Sequence, residues 1–283
     1  MSITFAIPKK YVSPEFIEKV NQVYHDIEAK QYDAAHPEIL NREQLRWKRL
    51  LDITNFNKYE KLSALDIGTG TGFAAYQVLS RFPNAKIKCV DISEQMLIMA
   101  RKNLNKSFPN SDLVFELNPV DRMDLQSNNY DLITINSVLH HLPDPFITLE
   151  KLIYSLAPGG FLIISHEPNY RFYSNFRLFS WTRRMQNLRS YCSKYFNPSR
   201  YLNKILRICR IIPPPKINNL VMKTFKELCG KGYIEDADSF EIAWIGALVD
   251  FHIPRIRAGI AAGSLGLNIQ EFEAKLSPKI ILS

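Results

Sequence analysis

Three glycines, Gly68, Gly70 and Gly72, occupy alternate positions in the stretch LDIGTGTGFAA, residues 65–75. They follow a short apolar run and precede a run with helical spacing. Because glycine has no side chain, a ligand can approach the backbone there, and amide groups and the start of the helix are directed toward it. Asp91 follows roughly 20 residues later, at the place from which an acid binds a ribose diol. The spacing predicts a ligand that carries a phosphate, a ribose or a sulfonium.

The glycines do not identify the ligand by themselves, because Gly70, Gly72 and Ala75 also satisfy the looser dinucleotide fingerprint. Two features favour another cofactor. Asp66 precedes the first glycine by two positions, and the first predicted strand begins only at Ser63, whereas dinucleotide folds usually open with that strand. A tight turn without a ligand is the remaining alternative, and the acid at the end of the next run argues against it.

The elements that must position these residues form a regular alternation of short apolar runs and helical patterns. Such an alternation predicts crossover connections, a parallel sheet and an α/β fold. We expect strands at residues 63–67, 86–90, 113–117, 131–135 and 161–165. We expect helices at residues 14–30, 42–51, 73–81, 93–104 and 146–156.

Two further motifs lie after the predicted fourth strand and before the fifth: YDLITINSVLHHLPDP and LAPGGFLII. Together with the glycine loop, they resemble the class I S-adenosylmethionine-dependent methyltransferases, in the group that acts mostly on small molecules. The resemblance covers Tyr24 to about Glu167. It implies a Rossmann-like parallel-sheet methyltransferase fold in four parts. These are an N-terminal helical cap (1–60), a cofactor-binding core (61–168), a basic, aromatic helical lid or acceptor-binding insert after strand five (169–260), and a C-terminal strand region that completes the sheet (261–283).

The resemblance also implies which residues hold the methionine and ribose parts of S-adenosylmethionine. The backbone of Gly68, Gly70 and Gly72 would cradle the methionine part. Asp66 would lie beneath this loop and orient it, directly or through water. Asp91 would bind the ribose hydroxyls.

At the adenine end, the resemblance implies that Ile92 packs on the base. The family usually has an acid near the adenine amino group, where this chain has Pro119. Asp121 could replace that acid after a small shift of the loop. We expect a backbone contact around Val120 to hold the adenine instead.

At the sulfonium end, the resemblance implies that Asn136 offers its backbone and that Tyr32 closes the pocket. Methyl transfer from a sulfonium is an in-line displacement, so the protein mainly positions the acceptor, and a general base helps only if the acceptor must lose a proton. His140, His166 and Glu167 follow strands four and five, whose carboxyl ends should border the acceptor. They are the candidate catalytic residues, with packing or capping as the alternative.

Positive charge is concentrated in one segment of the chain. Residues 169–232 hold fourteen lysines and arginines and one acid, Glu227, although the net charge of the whole chain is only +8. The segment could enclose an apolar acceptor with its basic face in water, or contact an anionic membrane through residues 171–216. It could also bind RNA through phosphate contacts and stacking, which we rank third.

We therefore predict an S-adenosylmethionine-dependent methyltransferase that acts on a small-molecule or lipid-like acceptor. The alternatives are an RNA methyltransferase and a catalytically inactive cofactor-binding protein that serves as an interaction module. The four cysteines have no zinc or redox spacing, and no run suits a signal peptide or a membrane span. We expect a cytoplasmic protein without a bound metal.

Overall fold

A computed structural model describes residues 13–142, 144–167, 219–234 and 280–282. Within these residues the chain forms a six-stranded sheet with the order β3-β2-β1-β4-β5-β6. Every neighbouring pair of strands is parallel. The strands are β1 (Ser63–Ile67), β2 (Lys86–Asp91), β3 (Asp112–Leu117), β4 (Tyr130–Asn136), β5 (Leu156–Ser165) and β6 (Ile280–Leu282).

Helices precede the sheet and connect its strands. They are α1 (Pro14–Glu28), α2 (Tyr32–Ala35), α3 (Pro37–Ile53), α4 (Phe73–Arg81), α5 (Glu94–Ser107), α6 (Pro145–Ser155) and α7 (Asn219–Gly230). Side-chain oxygens of Ser13, Ser93 and Asp144 accept backbone N–H groups at the starts of α1, α5 and α6. Such N-caps satisfy amide donors that the helix itself leaves unpaired.

The predicted α/β fold with a parallel sheet is confirmed. Most boundaries differ from the prediction by three residues or fewer, and two differ by five: α3 begins at Pro37 rather than at residue 42, and β5 begins at Leu156 rather than at Phe161. Tyr130 pairs with Leu156, whereas Leu132 already pairs with Phe161, so residues 157–160 form an irregularity within the strand. Gly159, with a φ of 85°, lies in this irregularity.

The predicted division into cap, core, lid and C-terminal region stays a prediction, since most of the lid lies outside the described residues. From that segment the structure describes α7, which packs against α1.

The order of the strands determines where a ligand can bind. Strand β1 lies between β2 and β4, so the chain leaves β1 in one direction and later returns to its other side. Ligands of open α/β sheets bind at the carboxyl ends of the strands at such a switch point. Alternate residues of the central strands are buried on opposite faces, with Ala64 and Leu132 on one face and Leu65 and Ile133 on the other. Both faces of the sheet are therefore covered, and its carboxyl edge is where the loops meet.

Gly68 and Gly159 both have a positive φ, but only Gly68 is tightly packed against a neighbour. Comparing alanine substitutions at the two positions therefore separates the cost of steric overlap from the cost of backbone strain. A Cβ at Gly68 (φ 62°) would lie 2.3 Å from Val138 Cγ2, whereas a Cβ at Gly159 (φ 85°) would meet nothing within 4 Å. We expect Gly159→Ala to cost about 1 kcal/mol of backbone strain. Gly68→Ala should cost about 1–3 kcal/mol more, because the stiff valine must move. Urea unfolding of both variants measures the difference, and equal losses would contradict the overlap.

Candidate functional site

The glycine loop joins β1 to α4 and closely approaches two other elements. A Cβ at Gly68 would overlap Val138 after β4, and a Cβ at Gly72 would come within 3.1 Å of Leu104 on α5. A Cβ at Gly70 would find no atom closer than the Gly68 carbonyl oxygen, at 3.9 Å. The loop is thus tightly packed at both ends, and open space lies beside its middle glycine.

The Asp91 carboxylate, at the end of β2, lies against this loop. Its Oδ2 accepts the Gly70 N–H at 2.7 Å, and its Oδ1 accepts the Ser93 N–H at 2.8 Å. Only 7% of the residue is exposed. Burial raises the pKa of Asp91, and the two amide donors partly offset this. The structure therefore brings together the acid and the glycine that the sequence singled out.

Asp66 lies beneath the glycine loop at the end of β1 and is 1% exposed. Its Oδ1 accepts the Thr134 hydroxyl at 2.7 Å, and the Thr69 hydroxyl donates to its backbone oxygen at 3.0 Å. Its Oδ2 is buried and has no hydrogen-bond partner among the described residues. Burial raises the pKa of Asp66 to about 7. The site thus holds a carboxylate oxygen that can still accept a hydrogen bond from a ligand or a water.

The N-terminal cap reaches the cofactor loops through two carboxylates that were not among the predicted site residues. Asp33 accepts the hydroxyl of Thr71 in the glycine loop at 2.6 Å. Asp26 accepts the Ser93 hydroxyl at 2.6 Å and the Gln95 N–H at 3.3 Å, at the start of α5. Nothing local in the sequence pairs these residues, because 38 and 67 positions separate each acid from its hydroxyl partner.

Tyr32, the predicted pocket-closing residue, starts α2 directly before Asp33. Its ring lies 4.6 Å from the His36 ring, centroid to centroid. His36 Nε2 in turn lies 3.1 Å from Glu28 Oε1. Tyr32 therefore belongs to a tethered segment beside the glycine loop.

The predicted adenine side lies between β2 and the turn that follows β3. Ile92 is half-buried, and Val120 is buried at the start of the turn Val120–Arg122. The Asn118 N–H donates to the Asp91 carbonyl oxygen at 3.1 Å, which links the two segments. Asp121 lies in the same turn, and its backbone oxygen accepts a hydrogen bond from Lys151.

Two of the three catalytic candidates are in contact. Glu167 Oε2 lies 2.6 Å from His140 Nδ1, and its Oε1 accepts the backbone N–H groups of Val138 and Leu139. The side chain of His140 is 6% exposed. Glu167 thus caps the short helical turn Leu139–His141 after β4, in addition to binding the imidazole. Capping was the alternative to catalysis for these candidates, and the contacts of Glu167 with the two backbone N–H groups are of that kind.

The third candidate, His166, lies apart from this pair. It has a positive φ of 60°, and its Nδ1 is 3.8 Å from Glu43 Oε1 on α3. Asn136, the predicted sulfonium contact at the end of β4, accepts the Trp47 indole N–H through its Oδ1 at 3.3 Å. Helix α3 therefore contacts both of these predicted residues through side chains that were not among the predicted site residues.

The described part of the chain holds neither a candidate metal site nor a candidate membrane-spanning helix. No group of three or more His, Cys, Asp or Glu residues there could hold a metal ion. No helix there is long and apolar enough to cross a membrane.

Comparisons with known proteins match the part of the chain that contains the glycine loop. Residues 58–208, more than half of the chain, match the family model described as a methyltransferase domain. The chain is 30% identical over 148 residues to a malonyl-acyl-carrier-protein O-methyltransferase of Acetivibrio thermocellus, covering 52% of this chain and 49% of that protein. It is 34% identical over 117 residues to a trans-aconitate 2-methyltransferase of Variovorax paradoxus, covering 40% and 43%. The matches thus span less than half the length of these relatives.

The raised pKa of Asp66 makes the stability of the protein depend on pH. Because the folded state holds this proton more tightly than the unfolded chain, the stabilisation is fully present below about pH 4 and is lost as the pH rises to about 7. Asp66→Asn does not titrate. We expect the free energy of unfolding of the wild type to fall relative to that of the variant between about pH 4 and about pH 7, and to stay level above that range.

Urea unfolding across this range measures the effect. Asp112→Asn, at an exposed position at the start of β3, is the matched control: it keeps Asp66, so its difference from the wild type should stay constant with pH. A wild-type-to-Asp66→Asn difference that stays constant with pH would contradict the raised pKa.

Proposed function

This chain belongs to the class I S-adenosylmethionine-dependent methyltransferases, with S-adenosylmethionine as cofactor, and we propose that it transfers the methyl group to a small-molecule or lipid-like acceptor. The observation that carries the proposal is the Asp91 carboxylate held at 2.7 Å from the Gly70 amide, at the switch point beside β1. There, the loop backbone and the Asp91 carboxylate lie side by side, and the fold leaves space beside Gly70 in which one ligand could contact both.

The residues at this edge fit the cofactor. Each carboxylate oxygen can accept two hydrogen bonds, so Asp91 can bind ribose hydroxyls without releasing Gly70 or Ser93. The buried Asp66 Oδ2, which has no partner among the described residues, can accept a donor from the methionine part or from an ordered water. The apolar side chains of Ile92 and Val120 suit the faces of the adenine.

The cofactor, when bound, supplies a methyl group already activated on a sulfonium. The chain therefore has to orient the acceptor for in-line attack, and Asn136 and Tyr32 are the residues that we assign to the sulfonium end. Glu167 holds the turn Leu139–His141 in place through backbone amides, and it fixes the ring of His140. We assign Glu167 a positioning role. A His140 ring that donates from Nδ1 carries its lone pair on Nε2, the tautomer of a base.

A carboxylate is the acceptor group that we favour. The names of two relatives specify a malonyl group and trans-aconitate, both of which carry carboxylates. A carboxylate is ionised at neutral pH, so its methylation requires no general base. Glu167, which is occupied by backbone amides, is then not needed to remove a proton from the acceptor. The basic residues of the segment 169–232 would attract such an anion.

The activity is tested by following S-adenosylhomocysteine and methyl-ester formation with trans-aconitate and a malonyl thioester, beside a phenol and an amine. We expect turnover with a carboxylate and a rate that varies little between about pH 6 and about pH 8. His140→Asn, which can still donate to Glu167, should lower this rate less than about tenfold.

Two other results would redirect the proposal. Turnover only with the phenol or amine, rising with pH and lost by a factor of about 100 or more in His140→Asn, would make His140 a general base and contradict the carboxylate assignment. Cofactor binding without turnover of any acceptor would favour the inactive interaction module.

Cofactor binding itself is tested by calorimetric titration with S-adenosylhomocysteine, NADH and NADPH. We expect the wild type to bind only S-adenosylhomocysteine. Asp91→Ala should weaken it by about tenfold or more, since it removes the ribose acceptor and leaves the Gly70 N–H without its carboxylate. Asp112→Ala, exposed on the same sheet, should bind like the wild type. Binding of a dinucleotide would contradict the cofactor assignment at this loop.

A further inference from the structure

Glu18, on the cap helix α1, is a buried carboxylate that the site described above does not use. The residue is 8% exposed. Its Oε2 forms an ion pair with Arg122 Nη2, at the turn after β3. Its Oε1 is buried and has no hydrogen-bond partner among the described residues. An ionic oxygen removed from water without a donor is costly, so its retention requires an explanation.

Glu18 has one acidic and one basic neighbour, Asp121 and Arg122. Burial raises the pKa of Glu18, and the nearby negative charge of Asp121 raises it further, whereas Arg122 acts in the opposite direction. A second carboxylate beside the first makes the pair a poor structural ion pair. The two acids thus have more acceptor oxygens than Arg122 serves, and Glu18 Oε1 is the buried one without a donor among the described residues.

The location of Glu18 indicates which donor could arrive. Its partners Asp121 and Arg122 belong to the turn that begins with the buried Val120, on the predicted adenine side. Further along α1, Asn21 donates to the His141 carbonyl oxygen at 3.2 Å, and Asp26 binds the start of α5. Residues 18, 21 and 26 thus each contact a loop that follows the carboxyl end of a strand, so α1 lies over the carboxyl edge of the sheet.

We infer that Glu18 recognises the 6-amino group of the adenine of the bound cofactor, with Oε1 accepting one of its N–H bonds. The inference rests on the proposed function, because the adenine is that of S-adenosylmethionine. An amino group supplies the donor that Oε1 lacks. A 6-oxo purine would instead direct an acceptor at the two carboxylates, and a site built around one donor rejects an analogue without it. Glu18 is therefore a specificity residue for the purine.

The test compares the affinities for S-adenosylhomocysteine and S-inosylhomocysteine, which differ at this purine position, by calorimetry. We expect the wild type to prefer the adenosyl compound by about tenfold or more. Glu18→Gln keeps the shape of the side chain but can either accept from an amino group or donate to a 6-oxo group. The preference should therefore shrink by about tenfold or reverse.

Two controls separate recognition from general damage. Glu15→Gln, at an exposed position in the first turn of the same helix, should keep the wild-type preference. Asp121→Asn tests the neighbouring acid. A purely structural role of Glu18 would weaken both ligands by the same factor and leave their ratio unchanged.

Three results would overturn the inference. They are a wild type that binds both compounds equally, a Glu18→Gln variant with an unchanged ratio, and a ratio that depends on Asp121 but not on Glu18. In each case, binding of S-adenosylhomocysteine by the wild type would leave the proposed function standing. A wild type that binds neither compound would remove both.

Discussion

The Asp91 carboxylate joins the two loops on which the candidate site depends. One oxygen accepts the amide of Gly70 in the glycine loop, and the other accepts the amide of Ser93 at the start of α5. Hydrogen bonds to a charged acceptor are the stronger class, and here they also partly offset the cost of burying the acid. Through the Ser93 hydroxyl the same link reaches Asp26 on α1. The glycine loop, the start of α5 and the helix α1 of the cap are therefore linked by hydrogen bonds.

Three buried acids lie around the carboxyl edge of the sheet or in the cap that covers it: Asp66, Asp91 and Glu18. Burial raises the pKa of each. A buried carboxylate is costly unless donors compensate it. Asp91 has its donors within the chain, whereas Asp66 and Glu18 each keep a buried oxygen without a partner among the described residues. Violations of polar satisfaction are expected where a fold serves a ligand.

The cap is part of the site through its polar side chains. Asp33 holds the Thr71 hydroxyl in the glycine loop, and Asn21 holds the backbone after β4. Glu167 acts in a comparable way from the other side, by capping the turn Leu139–His141. These groups fix loop backbones, which is the form of preorganisation that an in-line displacement needs. The chemistry that we propose thus requires accurate positioning more than proton transfer.

The sequence by itself determined the order of elements and the placement of the glycine loop, because both depend on local signals. Hydrophobic periodicity predicted β1 and α4 with the boundaries that the structure has, Ser63–Ile67 and Phe73–Arg81. The start of β5 was predicted five residues late, because the Pro-Gly-Gly stretch has the local signature of a turn. In the fold, residues beyond that stretch on both sides pair with β4.

Only the tertiary structure decided what the isolated polar residues contact. Glu167 and His140 are 27 positions apart, and Glu18 and Arg122 are 104 apart, so no spacing rule relates them. The same holds for the Asp66 oxygen that lacks a donor among the described residues, since burial depends on everything packed around it. A periodic pattern is repeated along the chain and can be detected within it. A single hydrogen bond between distant residues leaves no such repeat, and it exists only once the sheet has brought its loops to one edge.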